Sequence, residues 1–283
     1  MSNSKAKQIR TLLQSAHEEG TLSAESLQAL TVNNIGAQIE AGMGVSVGQV
    51  QSSEVILVTM MVDDSGSIRF SGNCDAVRNG HNEVLKSLTA SRQAHDILVH
   101  TCYLNGHILF PYVPLAVVNE PQLKRTGKVE YAPNLEVVMM DASNYDPNKG
   151  TPLYDQTVVL LGRVLAKYQE FAESGVTART VTLILTDGAD ENSRRCGTRE
   201  VRSLVEDLLG EQHIIAAMGI DNGSTDFRKV FREMGIRDEW VLTPSNSNSE
   251  IRKAFQMFSQ SAVQASRASA YFHQVAAGGF SIC

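Results

Sequence analysis

The chain has 283 residues, 42% of them apolar and 20% charged, with a formal charge of −6. Such a composition excludes a disordered chain, and the acidic balance lacks the basic footprint of a nucleic-acid binder. No stretch approaches the ~20 apolar residues of a membrane span.

Residues 5–17 and 23–31 read as two short helices. Ile9, Leu12, Leu13 and Ala16 share one helical face, and Ser23 is a candidate N-cap for the second helix. Met1 to Arg10 is polar, so no secretory signal is expected there. Helices this short are marginal alone, which suggests a docking appendage. Residues 32–52 carry three closely spaced glycines in Gly42-Met43-Gly44 and Gly48, and read as a connector with room for one short strand. Together, 1–52 form an N-terminal helical extension.

At residue 53 the pattern changes. Val55 to Val62 is a continuous apolar run, and so are Val181–Leu185 and Ile214–Gly219. Runs of this kind are strands buried on both faces of a parallel sheet. Amphipathic helices alternate with them. One carries Val77, His81, Val84, Leu85 and Leu88; another Leu153, Thr157, Leu161, Val164, Leu165 and Tyr168; a third Ile251, Phe255, Phe258 and Ala262. The pattern predicts an α/β fold: a doubly wound, mostly parallel sheet with helices on both faces, over residues 53–265.

One hairpin interrupts the alternation. Residues 97–104 and 107–110 flank Asn105-Gly106, a strong two-residue turn signal. Pro111 and Pro114 follow, so the second strand should be short, antiparallel and at an edge. Residues 111–150 read as a long insertion, and 266–283, with Gly278-Gly279, as a flexible C-terminal tail.

Two strand ends carry the chemistry. The first run ends in Asp63-Asp64-Ser65-Gly66-Ser67 and the second in Thr186-Asp187-Gly188. Ligands of open parallel sheets bind beyond the carboxyl ends of the strands, where strand order switches. Asp63, Ser65, Ser67 and Asp187 offer hard oxygen donors with no His or Cys, a set suited to Mg²⁺ or Mn²⁺ rather than zinc. Gly66 is expected to let the loop turn tightly. Cys74, Cys102, Cys196 and Cys283 show no zinc or redox spacing and read as free thiols of a cytoplasmic protein. The scattered histidines read as packing or surface residues. As a helix cap, Ser67 alone would need no metal, and Thr151-Pro152 has the look of a cap followed by Pro at the first helical position.

Asp63-x-Ser65-x-Ser67 after an apolar strand resembles the metal-ion-dependent adhesion site of von Willebrand factor type A domains. Gly150-Thr151-Pro152-Leu153 looks like that family's threonine loop and Thr186-Asp187-Gly188 like its second aspartate loop, in the family's order. The resemblance covers about residues 53–265 and points to an intracellular, bacterial-type member with a complete site. It implies that Ser65, Ser67 and Thr151 hold a Mg²⁺ ion through hydroxyls, with Mn²⁺ or Ca²⁺ as substitutes. Asp63 and Asp187 would act largely through waters and by orienting those hydroxyls. A partner protein's Asp or Glu would complete the coordination, with Asp64, Gly150, Pro152, Gly188 and Asp190 as the surrounding rim and Asp64 turned to solvent. Intracellular members commonly serve as adaptors beside AAA-type ATPases, and no phosphate-binding ATPase loop occurs here.

Two other readings stay open at this stage. In a self-assembling protein, Glu130, Glu136 or Asp141 of the insertion would enter a neighbouring copy's metal site. In a phosphoryl-transfer enzyme Asp63 would be the nucleophile, but Ser65 stands where a second Asp is needed and no suitable lysine is evident. A non-enzymatic binding module is the expectation.

Overall fold

The computed structural model describes residues 2–31, 35–115, 122–123, 129–130, 137–209, 212–267 and 269–282. Three helices come first: α1 (Ser2–Glu18), α2 (Ala24–Thr31) and α3 (Gly36–Gly42). Strand β1 (Glu54–Val62) then leads through α4 (Gly66–Phe70) and α5 (Cys74–Thr89) to the hairpin of β2 (Ile97–Tyr103) and β3 (Ile108–Pro114). Two-residue strands β4 (Gln122–Leu123) and β5 (Val129–Glu130) form a separate antiparallel pair. Next come α6 (Leu153–Glu173), β6 (Thr177–Thr186), α7 (Thr198–Leu209), β7 (His213–Gly219), α8 (Phe227–Glu233), β8 (Val241–Leu242), α9 (Asn248–Ala265) and α10 (Ser269–Gly278).

The main sheet has the order β3-β2-β1-β6-β7-β8. Every neighbouring pair is parallel except β2–β3. This is the doubly wound, mostly parallel sheet expected from the alternation, with one antiparallel edge strand. β1 is buried along its whole length past Glu54, and so is β6 past Thr177. Their unbroken apolar runs follow from burial on both faces. One helical layer pairs α5 with α9 and the other pairs α6 with α7. The stripe residues of α5 and α9 are all buried.

β3 is longer than expected and runs to Pro114. As an edge strand it pairs only with β2, so a proline can face the unpaired side, and its register slips twice near Thr101.

Helix α6 is buried on nearly every side. The sheet takes one face, and α1 and α3 lie on another. The expected appendage is therefore part of the domain: Ile9, Leu12, Leu13 and Ala16 join the main core with Leu30 and Ile39. Two buried cations of α6 fasten it. Arg163 Nε donates to Gln38 O at 3.0 Å, and Lys167 Nζ donates to Val45 O. The connector holds α3 and a 3₁₀ turn, Val47–Gln49, in place of a strand. Val45 N still donates to Tyr112 O of β3 at 2.9 Å. Gly44 makes this approach feasible: its φ is +61°, and a Cβ there would lie 1.9 Å from Tyr112 O.

The segment expected as a flexible tail also folds back. Phe272 and Phe280 are buried. Trp240 Nε1 donates to Ala276 O at 3.1 Å, and its ring meets Phe280 edge-on at 4.9 Å. Gly279 has φ +64°. It is a packed turn rather than a loose one, because a Cβ there would meet Glu239 O at 2.4 Å. The aromatic surface buried here outweighs the local glycine content. Cys283 lies outside the described residues.

Candidate metal centre

β1 is the switch point of the sheet, with β2 on one side and β6 on the other. Asp63 and Asp187 directly follow the ends of β1 and β6. They meet in the crevice where such sheets bind ligands. Asp63 is fully buried. Its Oδ1 accepts from Ser65 N at 2.7 Å, and its Oδ2 accepts from Thr186 Oγ1 at 2.7 Å and Asp187 N at 3.2 Å. Tyr145 OH donates to its carbonyl at 2.5 Å. Burial raises the Asp63 pKa against these hydrogen bonds. Asp63 thus ties the two strand ends together and leaves neither oxygen unbonded.

The two serines do not cap a helix. Ser65 occupies the N-cap position of α4, yet its side chain makes no capping bond. Its Oγ lies 2.9 Å from Ser67 Oγ, and Ser67 Oγ donates to Asp187 Oδ1 at 2.5 Å. The other oxygen, Asp187 Oδ2, is buried with no hydrogen-bond partner among the described residues. Burial, with Asp63's charge adding to it, pushes the Asp187 pKa up to about 6 against the bond from Ser67. A buried carboxylate oxygen without a donor is costly, and a cation is the species that removes the cost.

Thr151 closes the third side. Its amide donates to Asn192 Oδ1 at 2.6 Å, and its carbonyl accepts from Glu191 N and Asn192 N. Helix α6 starts at Leu153 with Pro152 at the cap position and no side-chain cap. The Thr151 hydroxyl is therefore not spent on the helix, and it lies beside Gly188. Ser65, Ser67, Thr151 and Asp187 all line one cleft of about 330 Å³. Among the described residues there is no cluster of three or more His, Cys, Asp or Glu. The cleft offers three hydroxyls and the Asp187 carboxylate, one of whose oxygens is buried and unpaired, with Asp63 behind them. Such a set fits a small, hard divalent cation that keeps several waters.

The expected rim is partly redrawn. Gly150 and Gly188 line the cleft, and Pro152 does not. Asp64, expected at solvent, is 7% exposed. Its Oδ1 accepts from both Asn105 N (3.0 Å) and Asn105 Nδ2 (2.9 Å). Burial raises its pKa, and the bonds from Asn105 oppose this. Asp190 is also turned inward: its Oδ1 accepts from Tyr154 N at 3.2 Å and Ser193 Oγ at 2.5 Å, at the start of α6. Gly66 has no left-handed backbone, and a Cβ there meets only Phe70 at ordinary contact. Asp141 is held in its own turn by Ser143 and Asn144. The side chains of Glu130 and Glu136 lie outside the described residues.

Several residues of the site escaped the motif. Asn105, readable only as a turn residue, reaches Gly150 O at 2.7 Å as well as Asp64. Asn222 Nδ2 donates to Asp187 O at 2.7 Å. Lys149, Glu191 and Asn222 line the cleft. Glu191 follows the second aspartate loop and is legible there as an acidic rim residue, whereas nothing in the local sequence marks Lys149 or Asn222, which distant loops bring together. His81, His100 and His213 are buried in the core, well outside this cleft.

No protein-family model matches the chain, and no curated protein sequence matches it. Solved structures resemble it at low identity. The pilus adhesin SpaC of Lactobacillus rhamnosus GG is 13% identical with a TM-score of 0.47, over 76% of this chain and 31% of the adhesin. The SpRpn10 VWA domain is 6% identical with a TM-score of 0.47, over 72% of this chain and 94% of that domain. Proximal thread matrix protein 1 of the mussel byssus, with a zinc-occupied MIDAS motif, is 15% identical with a TM-score of 0.42, over 72% of this chain and 47% of that protein. The chain thus spans about a third of the adhesin and about half of the byssus protein.

Proposed function

We propose that this chain is a metal-dependent protein-binding module of the von Willebrand factor A type. Ser65, Ser67 and Thr151 hold a divalent cation, Mg²⁺ by the hardness of the donors, while Asp63 and Asp187 act through waters and by orienting the hydroxyls. One observation carries the reading: the Ser65 and Ser67 hydroxyls converge on Asp187, whose second oxygen is buried and unpaired. The cation supplies a positive, incompletely neutralised coordination position. A carboxylate from a partner protein is the natural group to fill it. An adaptor role in a cytoplasmic assembly, beside a separate ATPase chain, is the most specific form of this proposal.

Binding is favoured over catalysis because Asp63 has no oxygen left to attack a substrate. Both accept hydrogen bonds, and the residue is fully buried. Homotypic assembly through Asp141 is disfavoured by the turn that already uses its carboxylate. The test is capture of partners by the tagged chain in Mg²⁺ and in EDTA, beside Thr151→Ala. Loss of the same partners in EDTA and in the variant is the expected result. Undiminished capture in both removes the metal from the function.

A further inference from the structure

Phe70 is 89% exposed. Among the described residues only Val138 and Met139 are other large hydrophobics classed as exposed, at 39% and 42%. A single exposed apolar side chain is ordinary; the position of this one is not. Phe70 ends the short helix α4 that opens with Gly66. Its ring folds back over Gly66, where a Cβ would lie 3.4 Å from Phe70 Cε2. Gly66 lines the metal cleft, so the ring stands at the cleft's edge.

Lys149 adjoins the same residue. Its carbonyl accepts from Gly66 N at 3.0 Å, and the residue is exposed and lines the cleft. Among the described residues Lys149 has no ion pair. The neighbouring cation Arg69 is already paired with Asp146. The neighbouring carboxylate Asp64 feels the Lys149 charge but makes no ion pair with it, and its Oδ1 is taken by Asn105. The other exposed charge lining the cleft is Glu191. The rim of the metal position therefore carries one apolar ring, one cation and one anion.

We propose that the partner is an acidic segment with a defined pattern. One carboxylate meets the metal, a second acidic side chain pairs with Lys149, and an apolar side chain rests on Phe70. Glu191 repels the second carboxylate and so favours its pairing with Lys149. This rests on the metal-binding reading above and adds the chemistry of the partner to it.

Three labelled pentapeptides test it on the full chain in Mg²⁺: Gly-Ser-Glu-Ser-Gly, Gly-Leu-Glu-Leu-Gly and Gly-Glu-Glu-Glu-Gly. The symmetrical flanks make the result independent of peptide direction. Fluorescence anisotropy at low salt is expected to rank the leucine peptide about three- to tenfold tighter than the serine peptide. The triple-glutamate peptide should bind about two- to fivefold tighter than the serine peptide. Phe70→Ser should erase the leucine preference and keep the glutamate preference, and Lys149→Ala should do the reverse. EDTA should abolish all binding. Binding that is EDTA-sensitive but equal for all three peptides overturns the proposed pattern and leaves the metal reading intact. So do preferences that survive both substitutions. Preferences that persist in EDTA, or no binding of any peptide at millimolar concentration, overturn both.

Discussion

Ser67 Oγ donates to Asp187 Oδ1 at 2.5 Å while Asp187 Oδ2 is buried with no partner. Half of this carboxylate is satisfied and half is not, and the Asp63 charge lies close by. Without a cation, ionised Asp187 is a burden on the fold. Asp187→Asn removes that charge and is expected to stabilise the metal-free chain by about 1 kcal/mol at pH 7.5. In millimolar Mg²⁺ the order should reverse, because the cation stabilises only the wild-type site by mass action. Thermal melts of both proteins in EDTA and in Mg²⁺ read the crossing directly. Parallel shifts on adding Mg²⁺ count against a metal at Asp187.

Asn105 joins the hairpin to the metal loop. Its backbone and side chain hold Asp64 Oδ1, and its side chain also holds Gly150 O next to Thr151. Asn105→Ala keeps Gly106 for the turn and leaves Gly150 O and part of Asp64 without donors. The expected cost is about 1–3 kcal/mol in urea unfolding. Weaker Mn²⁺ binding should accompany it, since the loop that presents Thr151 loses an anchor. A variant with wild-type stability and wild-type Mn²⁺ affinity removes Asn105 from the support of the site.

The legible parts of this protein share one property: their signal is local. Val55–Val62 and Val181–Leu185 announce central strands because burial on both faces demands an unbroken apolar run. Asp63, Ser65 and Ser67 stand out because a strand end followed by three oxygen donors is compact in sequence. The illegible parts depend on distant surfaces. Phe272 and Phe280 sit among small and polar residues, and Trp240 and Arg179, earlier in the chain, are among the groups they cover. Asp64 read as a solvent residue because its partner Asn105 lies on another loop. Arg163 and Lys167 sit in a helix expected to be amphipathic, and they are buried because α1 and α3 cover its second face.

The C-terminal packing has a built-in reporter, since Trp240 is the only tryptophan. It is 1% exposed and touches Phe280 and Ala276 O. Phe280→Ala is expected to cost about 3 kcal/mol by cavity formation. Trp240 emission should shift to the red in the folded variant as water reaches the ring. Unchanged emission and stability would place residues 269–282 off the domain.

Three buried histidines set the response to acid. Burial lowers the pKa of His81 to about 4 and those of His100 and His213 to about 3. In the unfolded chain each titrates near 6.5. Stability from their neutral forms is complete above 6.5 and is lost as pH falls towards 4 and 3, because only the unfolded state takes the proton in that window. By pH 6 the loss is on the order of 1 kcal/mol per histidine, or about 2–3 kcal/mol together. Asp187 acts in the opposite sense: its raised pKa lets the metal-free fold take up a proton below about 6, which adds stability. Asp63 and Asp64, also raised by burial, act in the same sense as Asp187, so the histidine contribution is read as the difference between the wild type and a histidine variant over pH 7.5 to 6. His213 is the best one to replace, since its Nε2 is buried without a partner and its ring packs edge-on against Tyr168 at 4.7 Å. His213→Phe keeps the ring and loses the proton site along with the bond to Thr180. Urea midpoints in EDTA should fall between pH 7.5 and 6 for the wild type, and by about a third less for the variant. Equal falls in both would mean that His213 is already protonated in the fold or reached by water, contrary to its burial.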